Sequence, residues 1–435
     1  MSGLMIAAPS TGSGKTTVTL GLLRALRNKG HAIAPGKAGP DYIDPAFHAA
    51  ASGEICLNFD PWAMRRELLL ANAALHKSGG KDLVIEAMMG LFDGAADGRG
   101  SAADLASILG LSVLLVVDCA KTSHSIAALV SGFANYRVDT RIVGVILNRV
   151  GSDRHEAMLR DAMASIRMPV FGVIRAEKAL ELPERHLGLV QAGEHGALET
   201  FIDRAAEMIA GACDIDALIR TARHIPDRTS QANIARLMPI GQKIAVARDN
   251  AFAFSYEHML LGWRRRGAEI SFFSPLADEA PMADADAVYL PGGYPELFAG
   301  RIAAAETFRA GMRAAEARGA RIFGECGGYM VMGDSLIDGG GESHRMLGLL
   351  PLVTSFATRR RQLGYRRVRP LGNSFFAAPM VAHEFHYATI VSEGEGDRLF
   401  AAEDALGNSL GDVGLQRGNL AGSFIHLIDI RGEPA

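Results

Sequence analysis

The chain has 435 residues, 49% of them hydrophobic and 21% charged, with a formal net charge of −3. That length exceeds one ordinary core and that balance excludes a disordered polypeptide, so two large domains are expected. The slight acidity excludes a global nucleic-acid footprint, and no apolar run approaches the ~18 residues of a membrane span, which makes the cytoplasm the expected compartment.

The first element is read from "LMIAAPSTGSGKTTVTLGLLRAL", a strand, a glycine loop and a helix in the order that a phosphate-binding loop requires. Backbone N–H groups of Gly12, Ser13 and Gly14 are placed to ring the β-phosphate of ATP, and Lys15 to reach the β and γ oxygens. Thr16 would set its hydroxyl on Mg²⁺ at the positive end of the helix, with Thr17 beside it in the ATP set. Pro9 stands where the motif G-x-x-x-x-G-K-[ST] has its first glycine, a departure that leaves the mechanical logic intact.

Apolar runs recur after this: "DLVIEAM", "SVLLVVDC", "RIVGVILN" and "PVFGVI". Continuous rather than alternating strands between amphipathic helices predict a parallel sheet covered on both faces, a doubly wound α/β domain. In such sheets ligands bind at the carboxyl ends of the strands. Asp41 and Asp44 in "KAGPDYIDPAFH" lie there, as do Glu86, closing "DLVIE", and Asp93 one loop further on. Glu86 follows four apolar positions, where a carboxylate requires a cation. Asp41 and Glu86 are therefore expected to join Thr16 at the metal, Lys37 to neutralise a transferring phosphoryl group, and Asn148, ending "GVILN", to touch the adenine.

The pattern lapses after "ALETFIDRAAEMIAG", which sets expected boundaries at 1–214 for the first domain, 215–241 for a linker and 242–435 for the second. The βα rhythm then restarts with "KIAVARD", a helix at about 256–266, "AEISFFSP", "DAVYLPGG", a helix near 302–318 and "RIFGEC". Two arginine runs, "WRRRG" and "TRRRQLGYRR", fit either a solvated face or an acidic substrate. The four cysteines show neither CxxC nor Cys/His metal spacing, so no disulfide framework or zinc site is expected.

Cys326 in "RIFGECGGYM" follows a strand and opens a helix, the corner of a nucleophile elbow, with Gly324 and Gly328 keeping side chains out of the turn. A neutral thiol is a weak nucleophile and needs a helix N-terminus and a base. His426 in "NLAGSFIHLIDI" is the preferred base, in competition with His383 and His386 of "VAHEFHYAT". The Gly292-Gly293 turn of "PGGYPE" supplies N–H groups that, with that of Gly327, would form an oxyanion hole. Gly293 and Gly327 are the two oxyanion candidates.

These motifs resemble a known family. "GECGG", "PGGYPE" and His426 are similar to a class I glutamine amidotransferase, and the first half resembles the dethiobiotin-synthetase type of P-loop domain. With "GKAGPDYIDPAFH", "MMGLFDG" and "LGLLRAL", the whole chain resembles the hydrogenobyrinate or cobyrinate a,c-diamide synthases of cobalamin biosynthesis. The resemblance implies a glutamine-hydrolysing carbon–nitrogen ligase. ATP phosphorylates a corrin acetate carboxylate, Cys326 releases ammonia from L-glutamine through a thioester, and ammonia travels internally to displace phosphate at the a and c positions in turn. By the same resemblance Lys15, Thr16, Asp41, Glu86 and Asp93 serve ATP, Mg²⁺ and the carboxylate, and Tyr42 and Asp44 position the ring. Separately from the resemblance, a homodimer is admitted as a partner state. The usual acid two residues after the histidine is absent: Ile428 stands there, and Asp429 is one place further. Two alternatives are another corrinoid amidoligase, such as cobyric acid synthase, and a P-loop switch ATPase with a non-catalytic amidotransferase-like module.

Overall fold

The computed structural model describes residues 2–177, 184–185, 188–189, 191–194, 196–224, 234–372 and 375–432. The chain divides into two compact units, Met1–Ile234 and Ala235–Ala435.

In the first unit, β1 (Ser2–Ala7) leads through the glycine loop into α1 (Lys15–Asn28). Then come β2 (Ile33–Ala38), α2 (Asp44–Ser52), β3 (Leu57–Phe59), α3 (Arg66–His76), β4 (Asp82–Glu86), α4 (Ala102–Leu109) and β5 (Ser112–Asp118). The series continues with α5 (Ile126–Tyr136), β6 (Arg141–Val150), α6 (Asp153–Ser165), β7 (Val170–Arg175) and α7 (Leu198–Ala212). The strands form a parallel sheet in the order β3-β2-β4-β1-β5-β6-β7. Leu83, Val84 and Ile85 of β4 and Val113 to Val117 of β5 are all buried, as strands covered on both faces must be. The helices supply that cover. Arg24 of α1 pairs with Glu199 and Asp203 of α7.

The segment expected as a linker begins with structure. Ile215–Thr221 forms α8, capped by Asp214 and burying Ile215 and Leu218. Arg223–His224 forms β8, antiparallel to β1. Seven residues are too few for a hydrophobic period to show, which is why the sequence pattern ended early. The middle of the expected linker, 225–233, lies outside the described residues.

The second unit runs β9 (Lys243–Ala247), α9 (Glu257–Arg265), β10 (Glu269–Phe273), β11 (Ala287–Leu290), α10 (Ala299–Ala304), α11 (Glu306–Ala317), β12 (Arg321–Glu325) and α12 (Gly327–Met332). The helix expected near 302–318 is thus two, broken at Ala305, whose ψ of 88° is not helical. Six further strands follow: β13 (Gln362–Pro370), β14 (Met380–His386), β15 (Asp397–Asp404), β16 (Ser409–Arg417), β17 (Leu420–Ser423) and β18 (Ile425–Ile430). They complete one ten-stranded sheet in the order β10-β9-β11-β12-β17-β16-β15-β13-β14-β18. It is parallel from β10 to β17 and antiparallel beyond. Among the described residues no helix is long and apolar enough to cross a membrane.

Close approach at the turn after β12 fixes the position of everything near it. A Cβ at Gly328 would lie 1.9 Å from the Leu290 carbonyl oxygen, so α12 sits directly on the end of β11. Gly328→Ala should lower stability by about 2 kcal/mol, as overpacking does. Gly132→Ala, in the open interior of α5 with nothing within 4 Å, should instead be neutral or stabilising by up to ~1 kcal/mol. Urea unfolding of the two variants checks both signs.

Candidate active sites

The first site lies at the carboxyl ends of β1, β2 and β4. Gly14 takes φ 87° where the loop turns into α1, a conformation open to glycine, and Asn148 holds the loop from β6. Asn148, expected at the adenine, donates its side-chain amide to the Ser13 carbonyl at 2.9 Å and so braces the loop. Ser13 is buried and donates its hydroxyl to the Ser10 carbonyl, Gly12 is exposed, and Thr17 is half-buried in the first turn of α1.

Lys15 donates to the Met89 carbonyl at 2.7 Å and lies 3.5 Å from that of Ser10. Burial lowers its pKa, opposed by Glu86, and Lys37 lowers it further. Met89 itself has φ 52°, uncommon for a residue with a side chain, and opens the segment in which Asp93 accepts from the Gly90 N–H at 2.9 Å.

Glu86 is the centre of the cluster. It accepts from the Thr16 hydroxyl at 2.9 Å and from Lys37 at 3.0 Å, and its other oxygen lies 2.7 Å from His48 Nε2. Burial alone would raise the Glu86 pKa, but Lys37 and His48 together hold it well below the usual carboxylate range. Lys37 also meets Asp44 at 2.5 Å and Asp41 at 4.0 Å. Burial would lower its pKa; the carboxylates of Asp44, Glu86 and Asp41 outweigh that and raise it. Asp44, buried beside Asp41, is pushed up to about 6 despite Lys37. The cation that Glu86 requires is therefore present in the chain itself.

Asp41 is turned partly to structural work, accepting from the N–H groups of Ile43 and Asp44 at the start of α2. Tyr42 is half-buried next to it. The hydroxyl and carboxylate oxygens of Thr16, Glu86 and Asp41 are the hard donors that a Mg²⁺ ion takes, and Thr16 and Glu86 already converge on one point. His48 and Asn58, which donates to the Gly39 and Asp41 carbonyls, were not legible as site residues. His48 closes the run "GKAGPDYIDPAFH" without a role assigned to it, and Asn58 sits in no motif.

The second site forms where β12 turns into α12. Cys326 has φ 48° and ψ −103°, the strained corner expected of a nucleophile elbow. Gly292 shows what this corner faces: a Cβ there would meet His426 Cε1 at 2.3 Å, His426 Nε2 at 3.1 Å and Cys326 Cβ at 3.3 Å. Cysteine and histidine thus share one small space. A Cβ at Gly327 would lie 3.0 Å from the Gly293 nitrogen, which brings the two oxyanion candidates together, and Gly292 is pinned by its carbonyl accepting from Phe254 N–H at 2.9 Å.

Burial pushes the Cys326 thiol up, Glu296 adds to this, and the Gly327 N–H only partly opposes it. The six-residue α12 does not produce a resting thiolate. His426 is buried opposite His383 in the β14–β18 pairing, and burial with the neighbouring charges of His383 and His386 lowers its pKa to about 3. The ring is therefore neutral at pH 7. His386, one competitor, lies 2.9 Å from Glu384 and stacks on Phe424. His383, the other, is brought down to about 3 by burial and by Arg366.

Sequence reading missed Glu325. Its carboxylate is buried, accepts from the Tyr289 hydroxyl at 2.6 Å and the Leu427 N–H at 3.0 Å, and lies 3.7 Å from His426 Nδ1. Burial pushes its pKa up to about 8 against those two donors. Its signal was available, since it ends an apolar strand as Glu86 does.

Beside the site is a cavity of about 460 Å³ lined by Tyr329, Arg360, Arg366, Glu384, His386 and Glu393, among others. Two arginines of the run "TRRRQLGYRR" therefore face a pocket, and Arg366 pairs with Glu384 at 2.7 Å. Phe385, between two lining residues, has its carbonyl 3.9 Å from the Cys326 sulfur.

The buried histidines carry a stability consequence. His426 and His383 near 3, and His258 lowered to about 4 by burial, are neutral when folded but bind protons when unfolded. Their stabilising contribution is complete above ~6.5 and is lost as pH falls through the folded values. The urea midpoint should drop steadily from pH 7 to pH 4.5.

Two family models match the chain: a CobQ/CobB/MinD/ParA nucleotide binding domain over residues 4–190 and a CobB/CobQ-like glutamine amidotransferase domain over 243–432. A hydrogenobyrinate a,c-diamide synthase of Sinorhizobium sp is 68% identical over 99% of this chain and 100% of its own. The proteins of that name from Rhizobium meliloti and Brucella anthropi are 66% and 61% identical, over 99% of both chains and 100% of both chains respectively. With a nucleotide-binding model and an amidotransferase model both matched, and relatives 61–68% identical over the whole chain, the chain belongs to the hydrogenobyrinate a,c-diamide synthase family.

Proposed function

We propose that the protein amidates the a and c acetate carboxylates of hydrogenobyrinate, using ATP and glutamine, as a carbon–nitrogen ligase of cobalamin biosynthesis in the cytoplasm. The observation that carries this reading is the pairing, in one chain, of a phosphate loop closed on a buried carboxylate cluster with a cysteine–histidine corner. A carboxylate is a poor electrophile until one oxygen leaves as phosphate, and ammonia is mostly protonated at neutral pH. One site makes the acyl phosphate and the other makes ammonia.

In the first unit Gly12, Ser13, Gly14, Lys15 and Thr17 take the ATP phosphates, and Asn148 keeps their loop in place. Thr16, Glu86 and Asp41 would hold Mg²⁺, which when bound neutralises charge on the phosphates. Lys37 sits between Glu86 and Asp44, so it delivers a positive charge to the edge of the cluster without leaving its ion pairs. Tyr42, Asp44 and Asp93 lie on the segments that position the corrin carboxylate.

In the second unit the zwitterionic end of glutamine suits the cavity, whose arginines and glutamates match a carboxylate and an ammonium. His426 Nε2 takes the Cys326 proton as sulfur attacks the side-chain amide, because the resting thiol is protonated. The N–H groups of Gly293 and Gly327 receive the developing oxyanion. His426 returns the proton to the departing ammonia, and water then releases glutamate.

Mass spectrometry of the product from hydrogenobyrinate, ATP and glutamine should show two added amides; an unchanged mass overturns the reading. Cys326→Ala should reduce glutamine-dependent synthesis by at least ~10³-fold while synthesis with ammonium persists. Lys15→Ala should suppress amide formation from either nitrogen source by ~10²-fold or more, seen in the same assay.

A further inference from the structure

We propose that Glu325, the residue immediately before the nucleophile, is the carboxylate that positions His426 for proton transfer with Cys326. The inference rests on the amidotransferase reading of this site. A histidine that accepts a proton at Nε2 must carry one on Nδ1, and that N–H needs an acceptor to fix the tautomer and the ring.

The geometry sorts the two nitrogens. Nε2 lies on the side that Gly292 and Cys326 share, whereas Nδ1 lies 3.7 Å from Glu325 Oε2. That separation is longer than a hydrogen bond, as catalytic contacts commonly are before substrate arrives. Glu325 is held on two other sides, by the Tyr289 hydroxyl from β11 and by the N–H of Leu427, the residue next to His426 on β18. Its carboxylate is thus tied to the strand that carries the base. Asp429, the acid nearest the family's usual place, accepts from its own neighbour Ile430 N–H at 2.8 Å.

Titratable and charged groups surround the pair on several elements. His383, Glu384 and His386 face His426 from β14, Arg366 of β13 pairs with Glu384, and Glu296 faces Cys326 from the turn after β11. Against these, Glu325 is the acid that approaches the Nδ1 side.

Glu325→Gln separates positioning from simple support. A glutamine keeps both existing contacts, its carbonyl accepting from Leu427 N–H and its amide donating to Tyr289, but offers a donor where Nδ1–H needs an acceptor. Glutamine hydrolysis by the full chain should lose ~10²-fold or more in kcat with KM changed less than ~3-fold. The acidic limb of the kcat/KM profile, which belongs to the coupled pair, should move to lower pH, because Glu325 is held near protonation and can ionise as His426 gains its proton, whereas a glutamine cannot. Tyr289→Phe should move the same limb to lower pH by a smaller step, since it removes a donor that favours the ionised carboxylate. Asp429→Asn should stay within ~3-fold of the parent.

Activity of Glu325→Gln within ~3-fold of the parent with an unmoved profile overturns the proposal, as does a ~10²-fold loss in Asp429→Asn alone. Ammonium-dependent amidation reports folding; if Glu325→Gln lacks it, Tyr289→Phe decides, and an unmoved limb there overturns the proposal. Absence of any Cys326-dependent glutamine hydrolysis in the parent would instead sink the amidotransferase reading itself.

Discussion

A carboxylate removed from water must be met by a cation, by hydrogen-bond donors or by a proton, and each unit of this chain places one such group at the end of a central strand. Glu86 is met by Lys37, His48 and Thr16, and it stays charged. Glu325 is met by a tyrosine hydroxyl and one backbone N–H, and it is held near the point of protonation. The surrounding residues follow from that difference. Around Glu86 lies a network of opposite charges drawn from β2, α2 and α1; around Glu325 lie stacked aromatic rings, Tyr289 on Phe323 and against Trp263.

The same difference separates the chemistry of the two sites. Phosphoryl groups are anions before and after reaction, so a site of fixed charges serves them throughout. Thiol attack on an amide begins from neutral partners and creates charge only in passing. A buried corner with a neutral imidazole and a thiol held towards its protonated form is matched to that course, with the candidate oxyanion glycines brought together by close packing.

Much of this was legible where the mechanism is local. The phosphate loop, its lysine and its threonine fall within one strand–loop–helix, and Cys326 lies inside a glycine-rich corner whose backbone strain its sequence announces. Glu86 stood out because a carboxylate after an apolar run demands explanation. The remainder depended on residues brought together from afar. Tyr289 and Leu427 are 36 and 102 positions from Glu325, and Asn148 is 135 positions from the carbonyl it holds. The extension of the first unit beyond residue 214 was missed for the opposite reason: α8 is too short to display a period, and only its burial and its neighbour's pairing with β1 assign it.

Met89 carries one further consequence. Its carbonyl accepts from the ammonium of Lys15, and its backbone is held at positive φ. Any phosphate that recruits Lys15 must first compete with a ligand the chain already supplies. The affinity measured for nucleotide is then a difference between two bonds, and a change in the loop around Met89 would alter that affinity without touching a single phosphate contact.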